Sequence, residues 1–263
     1  MTRLIKEVID IAKSTAEFIH AESLHFDQSE VRLKKGFSDL VSYVDRESER
    51  MLVEALGSLD KSFGFIAEEG TGEKKGGMNW IIDPLDGTTN FIHGLPVYSI
   101  SIALVDEDGL QLGVVYDVAN QDCFYAEKDD GAYRNGEKIQ VSGAGSMKES
   151  LIATGFPYYE FEGLDSYLSI LRYIMQNSHG LRRMGSAALD LAWTACGRFE
   201  GFFEYNLNAW DVAAGALIVK EAGGVVSDFK GKDDFLYGRQ IIAGNSPIHH
   251  ALQTIISERF KAS

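Results

Sequence analysis

Five acidic side chains fall in three short segments of this sequence, and they are its clearest chemical feature. The segments are Glu68-Glu69, Asp83-Pro84-Leu85-Asp86 and Trp210-Asp211. No cysteine and no pair of histidines lies near them. Small hard cations such as Mg²⁺ bind carboxylate, carbonyl and water oxygens, whereas Zn²⁺ favours nitrogen and sulfur ligands. The pattern therefore predicts an enzyme that depends on Mg²⁺ or a similar ion.

The segment around Asp83 predicts how two of these acids are placed. The apolar run from Trp80 to Ile82 is typical of a buried strand, and we expect the strand to end at Asp83 because Pro84 restricts the backbone. Gly87 lets the backbone approach a ligand, and a helix that begins near Thr88 would point N–H groups at an anion. Asp-Pro and Asp-Gly are also common turn formers, so these residues alone leave a purely structural role open.

Two long motifs resemble those of a known family. The segment from Asp83 to Phe91, Asp-Pro-Leu-Asp-Gly-Thr-Thr-Asn-Phe, is similar to the first signature of the inositol monophosphatases, which are lithium-sensitive phosphatases. The segment from Trp210 to Gly224 is similar to the second signature. The resemblance extends to residues 39–45, 67–69 and 185–188. It implies a layered α/β/α/β/α sandwich of the inositol monophosphatase and fructose-1,6-bisphosphatase type.

The resemblance also implies a set of metal ligands. It assigns two or three Mg²⁺ ions to the site, with Asp83 bridging two of them. The ligands that it assigns are the side chains of Glu68, Asp83, Asp86 and Asp211 and the backbone carbonyl of Leu85. Two ions ~3.5–4 Å apart can activate an attacking water and stabilise a leaving oxygen, which suits the hydrolysis of a phosphate ester.

Further roles follow from the same resemblance. Asp45 and Thr88 would form a hydrogen-bonded pair that orients the attacking water, and Glu68 would assist. The substrate would contact residues from several segments: Lys34, Asp86, Gly87, Thr88, Ala187 and Glu204. A carboxylate such as Glu204 suits a polyol, because it accepts hydrogen bonds from neighbouring hydroxyls.

Structural alternatives remain for several of these residues. A carboxylate near the start of a helix is a common cap, and this applies to both Asp45 and Asp211. Glu204 could be an acid at the end of a strand that faces water. Lys34 and Lys35 could be a pair of surface charges.

We interpret the chain as a Mg²⁺-dependent phosphatase that hydrolyses myo-inositol monophosphate and related small polyol phosphates, with the lithium inhibition and homodimer that the family implies. Related phosphatases act on fructose 1,6-bisphosphate, adenosine 3′,5′-bisphosphate, NADP or histidinol phosphate, and these substrates stay open. Arg182-Arg183 and the residues after them resemble a bacterial member that binds transcription machinery, so a regulatory partner is a further alternative.

Composition bounds these hypotheses. The chain has 263 residues, of which 45% are hydrophobic, and we expect one domain over residues 1–263 with lobes at about 1–145 and 146–263. A formal net charge of −14 argues against binding to nucleic acid or to an anionic membrane. The charged first residues and the absence of an apolar run of ~18 residues predict a cytoplasmic protein. Cys123 and Cys196 are expected to be buried thiols.

Periodicity predicts alternating helices and strands. Apolar residues from Leu4 to Ile19 fit one face of a first helix, and Gly57 is the expected C-cap of a second helix that starts near Asp45. Asn135-Gly136 predicts a hairpin turn. The other expected elements are strands at residues 63–67, 99–104, 113–118, 124–126, 199–204, 225–228 and 240–243, and helices at residues 186–196 and 211–222 and from Pro247 onward.

Overall fold

The computed structural model of the chain describes residues 1–26, 32–36, 39–157, 161 and 163–260, without the side chains of residues 33–36 and 39–41. The helices are α1 (Arg3–Ser23), α2 (Tyr43–Leu59), α3 (Thr88–Ile92), α4 (Leu164–Asn177), α5 (Ala187–Ala195), α6 (Ala209–Glu221) and α7 (Ser246–Arg259). The strands are β1 (Arg32–Gly36), β2 (Asp39–Val41), β3 (Gly64–Ala67), β4 (Asn79–Asp86), β5 (Ser99–Asp106), β6 (Gly109–Asp117), β7 (Asp122–Glu127), β8 (Gly131–Arg134), β9 (Glu137–Lys138), β10 (Leu151–Gly155), β11 (Gly180–Arg182), β12 (Gly201–Tyr205), β13 (Val225–Ser227) and β14 (Gln240–Gly244).

Two main sheets organise these strands. The first has seven strands in the order β3-β4-β5-β6-β7-β8-β9, and the second has five strands in the order β11-β10-β12-β14-β13. In the first sheet β3 and β4 are parallel, whereas the later neighbours are antiparallel. In the second sheet β10 runs parallel to both β11 and β12. β1 and β2 form a separate antiparallel pair.

Three apolar cores hold five layers of helices and sheets together. Each core is formed by helices that pack against the face of at least one sheet. The first core joins α1 and α2 to one face of the seven-stranded sheet. The second fills the space between the two sheets and is built around α5 and α6. The third joins the other face of the five-stranded sheet to α4 and α7. The predicted α/β/α/β/α sandwich is therefore the observed fold.

The alternation of side chains along single strands produces this layering. In β4, Trp80 and Ile82 belong to the first core, while Ile81 between them belongs to the second. In β12, Phe202 belongs to the second core and Phe203 to the third. Because successive side chains point to opposite faces, a strand that is apolar at every position must be covered on both sides.

Several local predictions are confirmed and others are wrong. Asn135 and Gly136 both have positive φ, at 51° and 89°, and they form the hairpin turn between β8 and β9. The second helix continues through Gly57 to Leu59 and is followed by Asp60, so the predicted C-cap at Gly57 is wrong. Gly57 instead faces the ring of Phe65, which lies in ordinary contact distance of a Cβ placed at that glycine.

Periodicity missed short elements that packing stabilises, namely β1, β2, β10, β11 and α4. α4 buries Tyr167, Ile170 and Ile174 against the five-stranded sheet, a spacing of three and four residues that is typical of one helical face. Cys123 is buried as expected, whereas Cys196 is only half-buried, and both thiols are free. Within the described part of the chain, no helix is long and apolar enough to cross a membrane.

Candidate active site

Parallel pairing of β3 and β4 brings the first two acids together. Ala67 is the register partner of Ile82, and the N–H of Glu68 donates to the carbonyl of Ile82 at 3.2 Å. Asp83 is the next residue of β4 and pairs with Ser101 of β5. Glu68 and Asp83 therefore lie at the same edge of the seven-stranded sheet.

A bulge at the end of β4 brings Asp86 to this edge as well. The strand does not end at Asp83 as predicted but continues to Asp86, which pairs with Ser99. Three residues of β4 are thus matched by two of β5, so that β4 has one extra residue. In a regular strand residues i and i+3 face opposite sides of the sheet. The extra residue of the bulge lets Asp83 and Asp86 face the same side instead. Pro84, which has no N–H, is tolerated inside the bulge.

Gly87 is the first residue after this strand and directly precedes α3, which begins at Thr88 as predicted. Its φ of 100° lies in the left-handed region. A Cβ placed at this position would be 2.8 Å from the carbonyl oxygen of Val97, closer than side chains pack. Gly87 is therefore required both by the backbone conformation and by the close approach of the neighbouring chain.

Asp86 connects the two sheets. Its Oδ2 atom accepts hydrogen bonds from the Ser186 hydroxyl at 2.6 Å and from the Ala188 N–H at 2.7 Å. Ser186 is the N-cap of α5, and the carboxylate thus lies at the positive end of that helix. Ala187, a predicted substrate contact, is the first residue of α5 and is therefore beside Asp86.

Asp211 comes from the second half of the chain. It is the third residue of α6, and its Oδ2 atom accepts a hydrogen bond from the N–H of Asn208 at 2.6 Å. Asn208, not Asp211, is the N-cap residue, so Asp211 takes the reciprocal place in a capping box. The carbonyl of the preceding Trp210 accepts from the Ser101 hydroxyl at 3.0 Å, which ties the start of α6 to the partner of Asp83.

Desolvation and mutual repulsion shift the pKa of these acids upwards. Burial holds the pKa of Asp83 well above its usual value, and three nearby acids raise it further: Glu68, Asp86 and Asp211. Loss of solvent also raises the pKa of Asp211 well above normal, with Asp86 contributing next. Desolvation raises the pKa of Asp86 to about 6, although the Ser186 hydroxyl and backbone N–H groups favour its charged form.

Asp45 and Thr88 form the pair that the resemblance implies. The Thr88 hydroxyl lies 2.7 Å from Oδ1 of Asp45 and 3.0 Å from the carbonyl oxygen of Leu85. The other carboxylate oxygen of Asp45 accepts from the N–H and hydroxyl of Ser42, at 2.8 and 2.6 Å. Ser42 is the N-cap of α2 and Asp45 its third residue, so the capping alternative and the pairing with Thr88 hold together.

A pocket of about 130 Å³ adjoins the acids. It is lined by Asp86, Gly155, Arg183, Gly185, Ser186, Ala187, Glu204, Leu207 and Asp211. Glu204 is 9% exposed, and burial raises the pKa of its carboxyl to about 8, while the positive charge of Arg183 opposes this shift. The structure thus brings Glu204 to a buried pocket rather than to bulk solvent.

The match of sequence and fold extends over nearly the whole chain. The model of the inositol monophosphatase family matches residues 1–261. This chain belongs to the inositol monophosphatase family. It is 40% identical to Nus factor SuhB of Pseudomonas aeruginosa, over 100% of this chain and 99% of the relative. It is also 42% identical to inositol-1-monophosphatase of Rhizobium meliloti, over 84% of each chain.

Solved structures of family members have the same fold. The extragenic suppressor protein suhB of Bartonella henselae superposes with a TM-score of 0.92 at 36% identity, and the match covers 98% of this chain and 99% of that one. Relatives of this inositol monophosphatase family member are therefore named either inositol-1-monophosphatase or Nus factor SuhB.

The donor set of this family member fits a hard cation in its chemistry. The charges of Glu68, Asp86 and Asp211 lie close enough to raise the pKa of Asp83, and carboxylate oxygens are ligands that Mg²⁺ prefers. Among the residues that the structure describes, however, no three His, Cys, Asp and Glu side chains stand at the spacing of a finished metal site. One oxygen of Asp83, of Asp86 and of Asp211 accepts from a backbone N–H instead.

The sequence analysis missed residues that support this site through distant contacts. Glu49 of α2 is fully buried, and its two oxygens accept from the N–H groups of Glu69 and Thr71, each at 2.7 Å. The i, i+4 spacing of Asp45 and Glu49 was the available signal, because it places both acids on one helical face. Lys34 lies in β1, but its side chain is outside the described residues.

The loop that carries Glu68 should depend on Glu49. In Glu49→Gln only one side-chain oxygen remains for two backbone donors, so we expect the free energy of unfolding to fall by about 1–3 kcal/mol and phosphatase turnover to fall with it. Urea denaturation and phosphate release measure the two effects. Glu54→Gln, on an exposed turn of the same helix, is the matched control. Equal behaviour of the two variants would contradict this role.

The buried carboxyl of Glu204 should make stability depend on pH. Its pKa moves from 4.5 to about 8 on folding, so the folded state holds the proton more tightly. This contribution to stability is complete below pH 4.5 and is lost as the pH rises through 8. Glu204→Gln should therefore gain stability over the unmodified protein from pH 5 to pH 8.5, by at most about 5 kcal/mol.

Urea denaturation at several pH values, with chelator present, tests this expectation. Glu137→Gln, at an exposed strand position, controls for the removal of one acid. Parallel pH profiles for Glu204→Gln and the unmodified protein would show that Glu204 is not protonated in the folded state at neutral pH.

Proposed function

We propose that this protein is a Mg²⁺-dependent phosphomonoesterase that hydrolyses myo-inositol monophosphate and related small polyol phosphates. The observation that carries the proposal is that the charges of Glu68, Asp86 and Asp211 act on Asp83 beside a pocket that Asp86, Asp211 and Glu204 line. Membership of the inositol monophosphatase family supports the same chemistry. We further propose a cytoplasmic homodimer in which each chain is one domain, and inhibition by lithium.

The residues that would hold two or three Mg²⁺ ions are Glu68, Asp83, Asp86 and Asp211 and the carbonyl of Leu85. When bound, such cations neutralise the charge of a phosphate ester and lower the pKa of a nearby water. The charges of neighbouring acids raise the pKa of Asp83 and Asp211, so a bound cation would relieve repulsion at this site. Asp83, Asp86 and Asp211 each use one carboxylate oxygen for a backbone N–H, so the other oxygen would be available to a cation.

Asp45 and Thr88 would orient the attacking water. If the Thr88 hydroxyl donates to Oδ1 of Asp45, its oxygen lone pairs are available to a water molecule. Asp45 is only 1% exposed and is held by Ser42, so the direction of this hydroxyl is fixed by the fold. A proton from the water would pass through Thr88 to Asp45, and Glu68 would assist from β3.

The ester would lie between the acids and the pocket. The N–H groups of Gly87 and Thr88 would contact the phosphate, and Lys34 would add a positive charge. The leaving alcohol would then enter the pocket of about 130 Å³, where Asp86, Ala187 and Glu204 would contact its hydroxyls. Arg183, which lines the same pocket, adds a cation that the sequence analysis did not assign to the substrate.

Phosphate release from a panel of esters tests the proposal. The panel is inositol 1-phosphate, fructose 1,6-bisphosphate, adenosine 3′,5′-bisphosphate, NADP and histidinol phosphate, each with Mg²⁺, with chelator and with added Li⁺. We expect a preference for inositol 1-phosphate that chelation abolishes. Preference for another ester would overturn the proposed substrate. Phosphate release that is insensitive to chelation would overturn the proposed dependence on Mg²⁺.

A regulatory role is a second candidate because of the relative named Nus factor SuhB. Arg182 and Arg183 are both exposed, but only Arg183 also lines the pocket, where it lies 5.8 Å from the centre of the Phe156 ring, so Arg182 is the better candidate for a contact with a partner. A protein with this role should bind transcription machinery in a way that Arg182→Ala weakens and Asp211→Asn does not. Loss of binding in both variants or in neither would argue against it.

Replacing Asp83 should separate activity from stability. Asp83→Asn removes a carboxyl whose charged form is disfavoured by burial and by its neighbours, so we expect the metal-free protein to become more stable at pH 8. Phosphate release with Mg²⁺ should fall by about 100-fold or more, since even residues that support a ligand are worth 10–100-fold.

Thermal unfolding with chelator and with Mg²⁺ adds a second measurement for Asp83→Asn. Mg²⁺ should raise the midpoint of the unmodified protein and leave that of the variant unchanged. Asp233→Asn, at an exposed position, is the control. Mg²⁺-dependent activity retained in Asp83→Asn would rule out Asp83 as a ligand.

A further inference from the structure

The carboxyl group of Glu204 occupies the space beside the α-carbon of Gly155. Gly155 is the last residue of β10 and the register partner of Glu204 in β12. A Cβ added at Gly155 would lie 2.1 Å from Oε1, 2.2 Å from Cδ and 2.2 Å from Oε2 of Glu204. These are the three heavy atoms nearest to that position, so the space a larger residue would need is taken by this one carboxyl group.

Buried hydrogen bonds hold the end of β10 in place. The Tyr167 hydroxyl of α4 donates to the carbonyl of Gly155 at 2.6 Å. The hydroxyl of Thr154 lies 2.8 Å from the carbonyl oxygen of Phe203, across the pairing of β10 and β12. Tyr167 is 1% exposed and Thr154 is fully buried. A side chain at position 155 could therefore not be accommodated by a small shift of the strand.

Both residues line the pocket assigned above to the leaving alcohol. Gly155 and Glu204 lie on its wall together with Asp86 and Ala187. With a volume of about 130 Å³, the pocket has little room for a carboxyl group to adopt a second position. The direction in which Glu204 presents its oxygens thus depends on the absence of a side chain at Gly155.

We propose that Gly155 is a specificity-determining position of this enzyme: its bare α-carbon lets Glu204 place its carboxyl group where it forms hydrogen bonds with the hydroxyls of a polyol phosphate. The inference rests on the proposed function and deepens it. Gly155 does not contact the reacting phosphate and acts through Glu204, with Tyr167 fixing its backbone. It therefore affects the choice of alcohol and not the hydrolysis itself.

Two esters separate these effects, each assayed with Mg²⁺. Inositol 1-phosphate has the neighbouring hydroxyls that Glu204 would bind, whereas p-nitrophenyl phosphate has none. For Gly155→Ala we expect the ratio of kcat/KM for the two esters to fall by about 10-fold to 100-fold, the cost of leaving one buried polar group without its hydrogen-bond partner. Turnover of p-nitrophenyl phosphate should change little.

The double variant tests whether Gly155 acts through Glu204. Glu204→Ala removes all three atoms that a Cβ at position 155 would approach. Gly155→Ala should therefore have no further effect on the ratio in that background, and this comparison remains informative if Gly155→Ala alone folds poorly. Gly145→Ala is the control, because a Cβ there meets nothing within 4 Å. A general loss of folding would reduce both activities and leave the ratio unchanged.

The outcomes distinguish this inference from the proposed function. An unchanged ratio in Gly155→Ala, in an unmodified enzyme that prefers inositol 1-phosphate, would overturn the role of Gly155 alone. Effects of the two substitutions that multiply in the double variant would overturn the dependence on Glu204. Failure of the unmodified protein to release phosphate from either ester would overturn the proposed function, and the inference with it.

Discussion

The repulsion among Glu68, Asp83, Asp86 and Asp211 is the interaction on which this structure depends most. Nearby acids raise the pKa of the buried Asp83 and Asp211, so the fold must hold each acid by a separate structural feature. Glu68 follows β3, and the bulge of β4 positions the two aspartates. Asp211 is held at the start of α6. No single helix or strand could hold these four side chains together, because like charges move apart unless each carboxylate is fixed separately.

Helix N-termini supply much of the compensation. Asp86 accepts from the first residues of α5, Asp211 from the residue that caps α6, and Asp45 from the residue that caps α2. In each case a carboxylate satisfies backbone N–H groups that have no partner inside the helix. The three apolar cores then keep these helices fixed against the sheets. The site therefore lowers stability locally, and the layers around it restore what is lost, as is common where function and folding compete.

The sequence was most informative where chemistry and motif coincide. The sequence analysis predicted the acids, the pair of Asp45 and Thr88, and the layered fold. It could do so because a carboxylate in a long motif has few alternative roles. The end of β4 was predicted wrongly at Asp83, because a bulge depends on the register of β5, which Pro84 does not reveal. For Asp45 and Asp211 the structural alternative was an N-cap role, and each is instead the third residue of its helix, because these two positions look alike in sequence.

Contacts between distant residues were beyond prediction for a different reason. Glu49 is separated by 20 residues from the loop that it supports, and Gly155 by 49 from the carboxyl group beside it. Neither residue belongs to a periodic pattern or a motif that would indicate its partner. A buried acid on a helix suggests only that some donor must exist, and a glycine at the end of a strand suggests only a turn. The partner becomes known when the register of β10 and β12 is known.

In the proposed function, Asp86 makes the metal side and the alcohol side of the site depend on each other. The acids near β3 and β4 belong to the seven-stranded sheet, whereas Gly155 and Glu204 belong to the five-stranded sheet. Asp86 lies at the end of the first sheet, lines the pocket and accepts from α5, which packs between the sheets. A change that moves α5 would therefore alter both the charge near the phosphate and the wall that meets the alcohol. Gly155 lies on β10, away from these contacts, so the alcohol pocket can be reshaped there while the bonds between Asp86 and α5 remain in place.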